Sequence, residues 1–248
     1  MAFVPRLEPV EHDGLRLLED RAARRRGVLV AFTDRRGGVS AAPYDTLNLA
    51  ERSGDERACV DVNRRRAARA AGFEVGALAL ARQVHGAHVI EAAPGRSGIL
   101  GEADGLLVRR TGPVAGILTA DCAPVIVAGE DGVALLHAGW RGLVAGVIER
   151  GVDLLDGPWA AWVGPAIRAC CYEVRADVIE AFEGAGLPVV DDGRVDPPDA
   201  ARAALVRAGV DAVAVAGECT ACSPRFFSYR RDGITGRQGA FAALLPTT

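Results

Sequence analysis

The sequence predicts a single α/β (α+β) domain built on a mixed sheet. Two observations carry this. Short apolar runs bounded by Gly, Pro and Asp recur along the chain, and only a few segments with helical apolar spacing interrupt them. Runs of strands broken by occasional helices do not fit a doubly wound fold. With 248 residues, half of them hydrophobic and a quarter charged, the chain can bury one large core. No linker or fixed-period repeat divides it, so residues 1–248 read as one domain.

The elements follow in order. Val28–Thr33 is an apolar strand. Ser53 and Glu56 have capping-box spacing for a helix running to Ala71, with Gly72 as its stop. Leu78–His85 and Ala87–Glu91 read as strands meeting at Gly86, and Pro94–Gly101 as a loop. Gly105–Val108, Val114–Thr119, Val125–Ala128 and Val133–His137 form a strand-rich block with tight turns. Apolar spacing over Gly142–Leu155 predicts one helix, weakened by Gly146 and Gly151. Trp162 opens a short strand, and Asp177–Phe182 and Pro198–Arg207 are helices, the second preceded by a Pro-rich loop from Pro188. Ala212–Ala216 and Phe226–Tyr229 read as closing strands, and Arg24–Arg26 and Arg64–Arg66 as solvated helix faces.

Composition excludes several classes. The 30 Gly and 13 Pro have no period, and a net charge of -3 with high hydrophobicity argues against disorder. The same charge is a poor footprint for nucleic acid. The start, MAFVPRLEPVEHDG, lacks the pattern of a secretory signal, and no run approaches the ~18 apolar residues of a membrane helix. A soluble, cytoplasmic protein without nucleic-acid or membrane partners is expected. Six Cys in such a chain are buried, metal-bound or catalytic rather than a disulfide framework.

Three reactive side chains sit where apolar strands end beside Gly or Asp: His85 in QVHG, Cys122 in TADC and His137 in HAGWRG. Strand ends let side chains converge on a cleft while the scaffold stays rigid. Each alone reads as a packed core residue; in a chain with only four His, the three together point to a functional cluster. Two chemistries compete. Two His and one Cys leave a zinc ion an open fourth position, from which it activates water or polarises a substrate oxygen. Alternatively, Cys122 is a thiolate nucleophile with a His as base. A blue-copper site wants a weak axial ligand such as Met, yet Met1 is the only Met, and four His cannot build a multi-copper cluster.

Other motifs suggest anion handling. Arg141 stands before a helix starting near Gly142, beside His137, and Arg35-Arg36-Gly37-Gly38 can form a basic turn with free N–H groups. Asn48 interrupts an apolar run and either faces a ligand or bonds a turn. The vicinal Cys170 and Cys171 read as reduced. The single CxxC of Cys219 and Cys222 cannot fill a tetrahedral site and reads as structural.

Taken in order, FTDRRGGVS, LNL, QVHG, ADG, TADCAPV, HAGWRG, GPAIRACCYEV and RFFSYRRDGITGRQ resemble the laccase-domain family, from about residue 28 to residue 242. Its members were formerly called multicopper polyphenol oxidases and are now viewed as purine nucleoside phosphorylases. The resemblance implies an α/β/β/α layered domain related to toxin deamidases. It implies zinc on His85, Cys122 and His137, with copper possible in vitro, and Asp121 beside them as a proton-carrying acid. It places Arg35, Asn48, Gln83 and Arg141 around the pocket. The implied partners are a purine nucleoside (adenosine, inosine or methylthioadenosine) and phosphate, with adenosine deamination as a side activity, on a monomer or homodimer. Two alternatives accompany it: a Cys/His amidohydrolase editing a peptidoglycan precursor, UDP-muramoyl-serine, and a copper-dependent polyphenol oxidase. Asp34, Arg168-Ala169 and Glu218 depart from the family pattern.

Overall fold

The computed structural model of the chain describes residues 3–190 and 193–246, so Met1 and part of the Pro-rich loop lie outside the described residues. The first two strands, β1 (Glu8–His12) and β2 (Leu15–Glu19), form a hairpin. Asp13 and Gly14 turn it at φ +48° and +79°, the left-handed pair that a two-residue hairpin requires. Asp20 then caps α1 (Arg21–Arg25), its carboxylate accepting the N–H groups of Ala22 and Ala23. β3 covers Val28–Thr33, as its apolar run predicts, and every residue of it is buried.

The helix ending at Gly72 forms as α2 (Arg57–Ala71), and Gly72 takes the left-handed stop at φ +78°. Its expected capping box does not form. Ser53 sits in a separate 3-10 turn, where its hydroxyl donates to the Ala50 carbonyl. The strand expected over Leu78–His85 ends at Arg82 as β4 (Leu78–Arg82), and β5 is Val89–Glu91. The segment read as a loop after Pro94 contributes β6 (Gly98–Glu102). The strand block follows its prediction closely: β7 (Gly105–Val108), β8 (Val114–Thr119), β9 (Ala123–Ala128) and β10 (Val133–Ala138).

The helix expected over Gly142–Leu155 is two, α3 (Trp140–Val144) and α4 (Val147–Asp153), because Gly146 at φ +78° breaks the hydrogen-bond ladder. After β11 (Ala160–Val163) come α5 (Ala176–Gly184), α6 (Pro197–Arg207) and β12 (Val213–Val215). Phe226–Tyr229 is not a strand. Ser228 caps the short α7 (Tyr229–Asp232), and Phe226 and Phe227 are buried anchors. The closing strand is instead β13 (Gln238–Leu244).

Two mixed sheets result. One runs β1-β2-β3-β13-β8-β4-β6, the other β12-β11-β9-β10-β7-β5. Their inner faces pack against each other through residues such as Val30, Phe32, Ile117 and Ala240 of the first and Leu106, Ile126, Leu135 and Trp162 of the second. The outer face of the first sheet carries α2 through Ala67, Ala70 and Ala71, and that of the second carries α3 to α6. The layering is therefore α/β/β/α, with strands buried on both faces, which accounts for their nearly unbroken apolar runs. Among the described residues no helix is long and apolar enough to cross a membrane.

Candidate active site

The chain passes between the sheets several times, and two of the passages near one end of the sandwich carry reactive side chains. It leaves the first sheet after β4 and enters the second at β5, and it leaves again after β8 and enters at β9. The first passage carries His85 and the second carries Asp121 and Cys122. The end of β10 lies beside the start of β9, with His137 opposite Pro124 and Ala138 opposite Ala123. His137 thus arrives at the same place from a rigid strand. His85 and Asp121 both hold positive φ, +62° and +96°, uncommon for residues with a Cβ. Such conformations persist where the surrounding structure over-determines them.

At His85 the determining group is Asp104, completely buried just ahead of β7. Its carboxylate accepts the N–H groups of Val84 (3.1 Å), His85 (2.9 Å) and Gly86 (2.6 Å). It also pairs with His137 Nδ1 at 2.8 Å. One side chain thereby fixes the QVHG turn and sets the His137 ring, leaving its Nε2 for the cleft. Burial by itself would raise the Asp104 carboxyl, but the bonds from His137, Gly86 and His85 hold it below the usual carboxylate range.

The donor atoms of His85, Cys122 and His137 all lie within 4.8 Å of one another, and Cys122 Sγ is 4.0 Å from His85 Nε2. A tetrahedral zinc with bonds of about 2.0–2.3 Å needs donors roughly 3.5 Å apart, so the set fits such an ion. Gly139 is the residue that permits this closeness: a Cβ there would stand 3.0 Å from His85 Cδ2 and 3.1 Å from Cys122 Sγ. Without a metal the electrostatics are those of an ion pair. Burial would raise the Cys122 thiol, but the adjoining His137, and then His85, bring it down to about 6. Burial would lower His137, but Cys122 and Asp104 lift it to about 9. Cys122 is therefore thiolate at neutral pH. In metal-free protein its alkylation rate, followed by peptide mass spectrometry, is expected to rise with pH and level off above about 6. His137→Ala should move the midpoint upward; a wild-type midpoint near an ordinary thiol's value, or one that His137→Ala leaves unmoved, would contradict the ion pair.

The cluster opens into a cavity of about 750 Å³. Asp121 lines it, with one carboxylate oxygen accepting from the Thr220 hydroxyl (2.7 Å) and the other from the Arg230 N–H (2.7 Å). Gln83 also lines it, its amide paired both ways with the backbone of Leu118. Arg141 lies exposed on the wall and stacks on Trp140, 4.2 Å from the ring centroid. Arg35 and Asn48 do not line the cavity. The Arg35 guanidinium bonds Asp45 and stacks over Phe227. Asn48 is wholly buried and ties its own turn together, bonding Ala50, Ser53, Asp55 and the Arg237 N–H.

Several contributors escaped the sequence reading. Asp104 sits in the ADG motif, and its signal was a carboxylate enclosed by apolar sequence, since buried Asp is rare unless paired. Tyr172, Arg230 and Arg237 line the cavity from the later motifs. Arg237 is half-buried and its guanidinium donates only to the Thr235 and Gly236 carbonyls, with no carboxylate paired to it among the described residues. Burial pulls its pKa below the ordinary guanidinium value, although Cys122 and Asp121 oppose this.

A family profile described as multi-copper polyphenol oxidoreductase laccase matches residues 29–245. Two relatives named purine nucleoside phosphorylase are similar over most of both chains. That of Pseudomonas aeruginosa is 40% identical over 233 residues, covering 88% of this chain and 93% of its own. That of Xylella fastidiosa is 42% identical over 240 residues, covering 87% and 92%. Among solved structures, YlmD from Geobacillus stearothermophilus superposes with a TM-score of 0.84 at 30% identity, covering 93% of this chain and 96% of that one. Protein NMB0706 of Neisseria meningitidis gives 0.79 at 34% identity, covering 89% and 95%. With this extent of match in both sequence and fold, the chain belongs to the multi-copper polyphenol oxidoreductase laccase family, among whose relatives are proteins named purine nucleoside phosphorylase.

Proposed function

We propose that the chain is a metal-dependent purine nucleoside phosphorylase acting on adenosine, inosine and methylthioadenosine, with adenosine deamination at the same site. The observation that carries this reading is the meeting of the His85–Cys122–His137 donor set with Arg141 and Arg237, which have no carboxylate partner among the described residues, in one cavity large enough for a nucleoside and an anion. The names of the relatives support it. Zinc, bound by His85, Cys122 and His137 Nε2, would supply Lewis acidity at the cavity floor.

The chain's own groups do the rest. Arg141 and Arg237 bind the phosphate, whose oxygen attacks the anomeric carbon as the bond to the purine nitrogen breaks. Trp140 and Tyr172 offer aromatic faces to the base. The departing base carries the electron pair and needs a proton. Asp121 still has unused lone pairs on both oxygens and is the carboxylate beside Cys122 able to relay one. Arg35 is turned instead to Asp45 and Phe227, away from the cavity lining.

Zinc-loaded protein given inosine and phosphate should release hypoxanthine and ribose 1-phosphate, and ammonia should appear from adenosine. No base release across the three nucleosides overturns the reading. Arg237→Gln is expected to raise the KM for phosphate about tenfold or more, the loss of about 1.4 kcal/mol or more from a charge-assisted contact, while leaving nucleoside KM within twofold.

One observation favours a second reading. Cys122, His137 and Asp104 stand in the order thiol, imidazole, carboxylate, the arrangement of a cysteine hydrolase. It fits an amidohydrolase acting on a substrate such as UDP-muramoyl-serine. That enzyme would survive chelators and fail on thiol alkylation. A copper oxidase lacks ligands: among the described residues His12 and His88 belong to neither of the two donor clusters, His85–Cys122–His137 and Cys170–Cys171–Cys219–Cys222.

A further inference from the structure

The second of those clusters lies in neighbouring loops. β11 and β12 run parallel, Ala161 beside Val213 and Val163 beside Val215. Their following loops therefore leave the sheet side by side and stay paired through a parallel bridge between Ala166 and Cys219, with Thr220 N–H donating to Ala166 O at 3.0 Å. This register sets the vicinal Cys170 and Cys171 against the CxxC of Cys219 and Cys222. Cys222 Sγ is 3.5 Å from Cys170 Sγ and 3.2 Å from Cys171 Sγ, and all four sulfurs lie within 4.8 Å of one another.

A tetrahedral ion with metal–sulfur bonds of about 2.3 Å spaces its four sulfurs about 3.8 Å apart. The observed cluster brackets that value. Cys219 is buried and accepts an N–H···S bond from Arg168 at 3.4 Å, the kind of donor that steadies a thiolate, while Cys170 and Cys222 stay exposed enough for an ion to enter. Four thiols with few other acceptors gain little from being crowded together; four thiolates sharing one soft divalent cation do.

We propose that Cys170, Cys171, Cys219 and Cys222 form a four-thiolate zinc site, separate from His85, Cys122 and His137 and independent of the nucleoside reading. With every coordination position filled by protein the site is structural, and it acts on the cavity wall. Tyr172, which lines the cavity, follows Cys171 directly, and Thr220, which grips Asp121, follows Cys219. Arg230 already laces the same loops by donating to the Cys171 and Glu173 carbonyls, and Arg231 does so to Thr220 and Ser223. The ion completes that lacing.

The test is metal content of protein purified under reductant, together with the absorption spectrum after replacement by cobalt(II). Wild type is expected to hold about two ions per chain, and C219S/C222S about one with a lower Tm. H85A/C122A should also hold about one, now with the intense charge-transfer and visible bands of a tetrahedral four-sulfur cobalt centre. That variant leaves the cysteine loops untouched, so it decides the matter even if C219S/C222S does not fold. A wild-type content of about one ion that C219S/C222S does not alter overturns the site. So does a cobalt-loaded H85A/C122A without four-sulfur bands, or an intact mass showing a disulfide among these residues under the same reducing conditions.

Discussion

Replacing Asp104 with alanine is expected to cost both the metal and the fold more than any other change outside the three ligands. The side chain serves three backbone N–H groups and one imidazole at once. Removing it strands the buried His137 imidazole, at about 1–3 kcal/mol for an unsatisfied buried group, and takes the shared acceptor from three turn N–H groups that water reaches in part. A net loss of roughly 3 kcal/mol corresponds to a Tm decrease of about 6–12 °C for a chain of this size. Because His137 loses the partner that sets its ring, and His85 the anchor that holds its positive φ, zinc affinity should fall a further 10–100-fold, roughly as for other lost ligand-orienting carboxylates. Chelator competition and thermal melts measure the two effects separately. Asp104→Asn keeps an acceptor for His137 but turns an NH2 toward the Gly86 N–H, so it should recover only part of each. If D104A melted and bound zinc as the wild type does, the account of how this site is positioned would be wrong.

The second large effect concerns the cluster itself. Cys122→Ala and His137→Ala are each expected to lower kcat/KM for phosphorolysis by on the order of 10³, about 4 kcal/mol of transition-state stabilisation, with loss of the bound ion. His85 is exposed and reaches the cluster from a turn rather than a strand, so His85→Ala should lose metal affinity while leaving the Cys122–His137 pair in place. That difference separates the two readings of the site. Under the metal reading, chelation abolishes activity as fully as C122A does, and H85A is inactive at limiting zinc. Under the cysteine-hydrolase reading, H85A and chelated protein keep turning over amide substrate, and only alkylation or C122A stops them.

Much of the site was legible in the linear order of residues because its ligands lie at strand ends. An apolar run that stops at a His or at Asp-Cys announces a side chain leaving the core, and QVHG, TADC and HAGWRG all have that form. Asp104 was not legible as a partner. Its contact with His137 spans 33 residues of sequence, and nothing local says which imidazole a buried carboxylate will meet. Arg35 and Asn48 show the converse. Their residue types suit a ligand, but Asp45 and the turn at Ala50 claim them first. The two cysteine pairs looked unrelated until the parallel pairing of β11 and β12 laid their loops together.

The same division holds for the fold. Local pattern alone determined the strand-rich character, the extent of β3, β7 and β8, the stop of α2 at Gly72 and the positions where reactive side chains emerge, since these depend on apolar runs, turn chemistry and backbone freedom within a few residues. Tertiary structure alone decided β13, a Gly- and Ala-rich segment of weak strand propensity that becomes central because β3 and β8 pair with it on either side. It also decided which atoms face one another across the cleft. Propensity and periodicity are properties of neighbours in the chain, whereas a donor set, a buried ion pair and a sheet's middle strand are properties of neighbours in space.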